Sequence, residues 1–120
     1  MTPGEQARRE VLGDEFVDAA LAGAAGDAAA EAFQGFVMER AWGEWARPDL
    51  ARRERSLLTI GILAALGRDE ELAIHLRGAR RNGLTDAELE EVVRHVAAYA
   101  GMPAALATRR ALAATRDPLR

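Results

Sequence analysis

Apolar residues recur along this chain at intervals of three and four, and no segment alternates polar with apolar over the length of a strand. The pattern therefore predicts helices throughout. Their ends are well marked. Near the start, Thr2 is an N-cap, Pro3 a first helical residue and Glu5 the third position of a capping box, with Gly13 after the last turn. A short second helix is expected from about Glu15 to Ala22, before the break "GAAGD". Asp27 caps a third, running from Ala28 to about Trp45 with Phe33, Phe36, Val37 and Ala41 on one face.

Pro48 pushes the residue before it out of the helical region, and Asp49 caps a fourth helix through "LARRERSLLTIGILAALG". From Leu57 to Leu66 this segment is apolar on nearly every side except Thr59, the mark of a central helix buried all round. Gly67 closes it, and Asp69 caps a fifth helix that ends at Asn82-Gly83. "TDAE", Thr85 to Glu88, is a full capping box. Leu89, Val92, Val93, Val96, Ala97 and Ala100 then follow at helical spacing. Gly101 ends this sixth helix, and Pro103 opens a seventh that fades at "TRDPLR". With no repeat and no low-complexity linker, the expectation is one all-α domain, a bundle of six to seven helices.

Composition narrows the chemistry. A chain of 120 residues suits one domain, which at this size buries about 65% of its unfolded surface. The formal charge of −3 lacks the basic field that general nucleic-acid binding needs. All sixteen basic residues are arginine, so Schiff-base catalysis by a lysine is excluded. The absence of cysteine removes thiol nucleophiles, disulfides and sulfur-ligated zinc. No apolar run reaches the roughly 20 residues of a membrane span, and no signal-type stretch opens the chain, so no membrane partner and a cytoplasmic location are expected.

Few residues remain to carry a reaction. His75 lies at the edge of the stripe Leu72, Leu76 and Ala79, with Glu71 one turn earlier, placed to hydrogen-bond the imidazole and raise its pKa. A histidine at a helix edge is more often structural than catalytic, and His95 reads as simply solvated. The two histidines stand twenty residues apart without an HxxxH or HExxH pair, so no metal site is expected. Ser56 and Thr59 read as helix residues bonding back to carbonyls. The stretch "ERAWGEWARPDLARRERS" places Trp42 and Trp45 three apart, with Glu44 between them and arginines around. It reads either as a packed helix end with a solvated arginine face or as an indole-walled pocket for a small anion, since guanidinium matches carboxylate.

Taken together, "AWGEWARPDL", "RRERSLLTIGILAALGR", "EELAIHLRGARRNGLT", "ELEEVV" and "YAGMPAA", in that order, resemble the carboxymuconolactone decarboxylase family. The similarity runs from "RREVLGDEFVD" to "YAGMPAALAT". It implies a helical fold of the alkylhydroperoxidase D-like type, a homo-oligomer (trimer or hexamer), and a cofactor-free decarboxylation of a small anionic lactone in aromatic catabolism. Peroxidase relatives in the wider superfamily carry CxxC and then a histidine after three intervening residues. Those cysteines fall here at Arg68 and Glu71, and an upstream acid at Ser56, so thiol peroxidase chemistry is not expected while the histidine position is kept at His75. In the decarboxylase pattern one more residue separates the tryptophans than in "WGEW". On a helix that difference turns each later residue by about 100°, so Glu44, Trp45 and Arg47 transfer less directly than His75.

The resemblance implies that His75 and Glu44 handle the proton and the growing negative charge, and that Arg47 and Arg77 hold the substrate's carboxylates. Trp42 and Trp45 exclude water, and Tyr99 donates to the carbonyl or packs at an interface. A member acting on a different carboxylated ring in biosynthesis, or a non-catalytic oligomeric helical protein, are the alternatives.

Overall fold

The computed structural model describes residues 1–116; the last part of the expected fade through "TRDPLR" lies outside the described residues. Among the described residues there are eight helices and no strand, an all-α fold. They fall into two compact units, residues 1–51 and the part from Arg52 onward.

The first unit holds α1 (Pro3–Leu12), α2 (Asp14–Ala24), α3 (Ala28–Arg40) and the single turn α4 (Trp42–Trp45). The Thr2 hydroxyl accepts from the Glu5 N–H at 3.1 Å. The Asp27 carboxylate accepts from Ala29 and Ala30 at 3.1 and 3.2 Å, so both expected N-caps form. Gly13, at φ 93°, turns the chain directly from α1 into α2, which is longer than the spacing predicts.

The expected long third helix is instead broken at Ala41. The break seats both tryptophans, together with Ala7 and Val11 of α1, in the unit's core. It also changes which face of α3 is inside. Met38 is buried, while Phe33 and Phe36 are 62% and 53% exposed, contrary to the face expected from their apolarity. The reason is α1: Gly4 packs so closely on α3 that a Cβ there would lie 2.2 Å from the Met38 carbonyl oxygen.

The second unit holds α5 (Arg52–Leu66), α6 (Asp69–Arg81), α7 (Asp86–Ala100) and α8 (Met102–Ala114). Its core joins Ile60 and Ala64, Leu72, Leu76 and Ala79, Leu84, Leu89, Val93 and Val96, and Ala105 and Leu112. Each fully buried leucine contributes about 1.5–3 kcal/mol relative to exposure. Thr85 and Glu88 close the expected capping box.

Three expectations fail here. α5 begins at Arg52, three residues after Asp49, whose carboxylate instead pairs with Arg47 at 3.3 Å. Asp69 is the first residue of α6 rather than its cap. Nor is α5 buried all round: Ser56, Ile60 and Ala64 face inward, but Leu58, Ile62 and Leu66 form an exposed stripe.

Arg80 closes the unit's far end. Its Nε donates to Asp86 at 2.9 Å, Nη1 to the Thr115 carbonyl and hydroxyl at 2.7 and 3.0 Å, and Nη2 to the Leu112 carbonyl at 3.2 Å. It thereby satisfies carbonyls that the end of α8 leaves without helical partners.

Two substitutions test these contacts by urea denaturation. Arg80→Ala is expected to cost about 2–3 kcal/mol, because charged hydrogen bonds to buried carbonyls are lost together. Gly4→Ala is expected to destabilise by about 1–3 kcal/mol through overpacking, even though alanine is the better helix former by up to about 1 kcal/mol. A stabilised Gly4→Ala protein would mean that α1 and α3 do not pack this closely.

Candidate active site

In the first unit, α4 presents Trp42 and Trp45 as a stacked pair, ring centroids 5.2 Å apart and planes at 30°, both more than nine-tenths buried. The spacing of three on a single turn brings the indoles together, as one turn of helix requires. Glu44, between them, is exposed. Arg47 follows the turn with its side chain 59% exposed and an ion pair to Asp49.

In the second unit, α6 carries Glu71, His75 and Arg77. Glu71, one turn before His75, does raise the imidazole's proton affinity, but burial outweighs it and the net result is a pKa lowered to about 4. The expected upward shift is thus reversed, because desolvating the imidazolium costs more than one exposed carboxylate returns. His75 is a neutral imidazole at neutral pH, with one N–H donor and one acceptor nitrogen. Arg77 stands two residues further on, a spacing that turns it to a different face of α6, and it is exposed.

The positions that the resemblance pairs with the peroxidase relatives' cysteines and acid have different surroundings. Arg68 and Glu71 are exposed at the start of α6. Ser56 is almost fully buried and its hydroxyl accepts from the Asn82 side-chain amide at 2.8 Å, in place of a bond back along its helix. Asn82 ends α6, so this hydrogen bond ties that end to α5.

A cavity of about 630 Å³ within the second unit runs between α5 and α7 over Gly61, Ala65, Val92 and Val96. Its edge carries Glu88 and Glu91 together with His95 and Tyr99, whose rings lie 4.9 Å apart. Tyr99 is 83% exposed. Tyr99 stands in this groove with His95 rather than on α6 with His75.

The pattern of α1 also contains a residue that sequence reasoning passed over. Gly4, Ala7, Arg8 and Val11 fall at helical spacing and all four are buried. Arg8 therefore belongs to the inner stripe of its helix, which the i, i+4, i+7 spacing was enough to reveal.

Among the described residues the protein is all-α, it has no cysteine, and it carries a largely buried, uncharged histidine on α6. The chain belongs to the carboxymuconolactone decarboxylase family, whose model matches residues 30–114. It is 46% identical over 102 residues to a 4-carboxymuconolactone decarboxylase of Acinetobacter baylyi, covering 84% of this chain and 75% of that protein. It is 41% identical over 104 residues to a nitrosuccinic acid decarboxylase of Metarhizium robertsii, covering 86% of this chain and 71% of that one.

The depressed pKa of His75 has a consequence for stability. Between about pH 6.5 and 4 the unfolded chain takes up a proton at this site that the folded chain refuses. The contribution of His75 is therefore complete above about pH 6.5 and is lost as the pH falls toward 4, by an amount on the order of 3 kcal/mol. Urea denaturation at pH 7.5, 5.5 and 4.2 is expected to show a steeper loss for the native chain than for His75→Gln. Parallel losses in the two proteins would show that His75 is not held neutral by burial.

Proposed function

We infer that this chain is a cofactor-free decarboxylase converting 4-carboxymuconolactone to the β-ketoadipate enol-lactone, in the cytoplasm, in the protocatechuate branch of aromatic catabolism. The observation that carries this reading is the 46% identity, extending over most of both chains, to a protein of that activity. Consistent with the proposed location, among the described residues no helix is long and apolar enough to cross a membrane.

The substrate is a butenolide with an acetate arm and a carboxylate on the ring carbon next to oxygen. Loss of carbon dioxide sends the bonding electron pair through the ring double bond toward the lactone carbonyl, giving a dienolate, and a proton is then added at the α-carbon. His75, neutral at working pH, suits the first of these needs: its N–H donates to the oxygen on which charge grows. Such a donor in a dry site is commonly worth about 3–4 kcal/mol. Being neutral, His75 is not the store of the incoming proton, and Glu44 is the candidate relay. Trp42 and Trp45 supply apolar wall. Arg47 and Arg77 are the candidate partners of the substrate's carboxylates, and the scissile carboxylate itself is best left without an ion pair, which would stabilise the ground state.

A second reading keeps the reaction type and changes the acid. The relative named for nitrosuccinic acid favours it, since a nitro group, like a lactone carbonyl, accepts the electrons that a departing carbon dioxide leaves behind.

We further infer a homo-oligomer, trimer or hexamer. The exposed side chains of Leu58, Ile62, Leu66, Tyr99, Met102 and Leu106 in the second unit support it, since monomers seldom leave so many large apolar groups in water.

The test is carbon dioxide release from 4-carboxymuconolactone generated in situ, with nitrosuccinate assayed in parallel. The native chain is expected to turn over the lactone, and His75→Ala to lose activity a hundredfold or more. Turnover of nitrosuccinate alone would move the assignment to the second reading. Full activity in His75→Ala would return His75 to packing.

A further inference from the structure

Arg8 and Arg9 are neighbours on α1 with opposite surroundings. Arg9 holds three carboxylates: Glu5 at 3.1 Å, Asp14 at 3.1 Å and Asp18 at 2.8 Å. Arg8, only 7% exposed, has no carboxylate among the described residues. Its Nη1 donates to the Gln34 side-chain oxygen at 2.9 Å and touches the Met38 sulfur at 3.7 Å. Its Nε is buried without an acceptor among the described residues. Burial, reinforced by the charge of Arg9, pushes the Arg8 pKa down. Yet a guanidinium does not lose its proton in a protein, so the charge stays.

A buried charge without its counter-ion is a costly arrangement, and an apolar side chain of similar volume usually serves stability better. Glutamate at position 34 would have supplied the missing carboxylate; glutamine supplies only a neutral oxygen in the same place. Gln34 and Met38, the two residues that touch the guanidinium, also line a cavity of about 280 Å³ between α2 and α3; Arg8 is not itself a lining residue, so a ligand there meets the guanidinium only by displacing Gln34 from it. Of the two acids at that cavity, Glu5 is engaged by Arg9, and Glu31 lies exposed in the first turn of α3. The space suits a ligand of few heavy atoms, and the planar fork of an arginine matches a carboxylate.

We propose that Arg8 and Gln34 form a binding site for a small organic carboxylate, wholly within the first unit. The ligand's carboxylate takes the guanidinium hydrogen bonds that Gln34 now accepts, and the freed amide turns its own N–H toward the ligand. The carboxylate has two possible sources: the substrate of the proposed decarboxylation, or a separate small acid that binds independently of it.

The experiment uses the full chain and succinate as the probe, with sodium chloride at matched ionic strength as the control, read by thermal shift and calorimetry. Succinate is expected to raise the native Tm above the chloride control. Arg8→Met is expected to be more heat-stable than the native chain without ligand, and to bind succinate at least tenfold more weakly. Gln34→Glu, which fills the place with an internal carboxylate, is expected to do the same without removing the arginine. No succinate response in the native chain, or unchanged succinate affinity in both variants, overturns the proposal. A tenfold rise in KM for 4-carboxymuconolactone with kcat unchanged would identify the substrate as the source, and an unchanged KM with succinate binding lost would identify a separate acid. Failure of the native chain to decarboxylate would remove the proposed function and leave the succinate result standing.

Discussion

The second unit depends on how its helix ends are satisfied. An α-helix leaves its last carbonyls without partners, and one side chain, Arg80, serves those of α8 while also gripping Asp86 at the start of α7. In the same first turn of α7, Glu88 closes the capping box with one oxygen and pairs with Arg53 of α5 through the other. These bonds hold α6, and with it His75, between fixed neighbours. Lysine would not substitute, because a single ammonium on a flexible stem does not reach three acceptor groups in one plane as a guanidinium does. The exclusive use of arginine in this chain thus has a structural outlet, whatever its origin.

Much of this architecture was legible in the sequence because helix punctuation is local. Thr2, Asp27 and the Thr85–Glu88 box act on backbone groups within three residues, so their identity suffices. The misreadings share the opposite property. Whether Phe33 or Met38 faces inward depends on Gly4, some thirty residues away, letting α1 approach one side of α3. Apolarity alone marked α5 as buried all round, but Leu58, Ile62 and Leu66 are left outside by a unit that has no further element to cover them among the described residues. Asp49 looked like a cap and became an ion-pair partner, because α5 starts three residues later. The candidate site shows the same division. The position of His75 was readable from the resemblance, whereas its protonation state turns on how far packing removes it from water.

Burial has different outcomes for the two buried bases. For His75 the lowered pKa leaves an imidazole that stays uncharged well below neutral pH. For Arg8 the same physical effect leaves a permanent cation. The difference lies in the groups themselves, since an imidazole gives up its proton within the ordinary pH range and a guanidinium does not.

The contrast between Arg8 and Arg9 also assigns two different salt sensitivities to a single helix. Arg9 meets its acids at the surface, where Asp14 and Asp18 are mostly exposed, so the electrostatic part of the hold of α1 on α2 is screened as ionic strength rises and the Debye length shrinks from about 10 Å to about 3 Å. Arg8 and Gly4 hold α1 to α3 by contact and by a largely buried hydrogen bond, which salt screens much less. High salt therefore loosens α1 along one side only, which makes α2 the element of the first unit most responsive to the ionic medium.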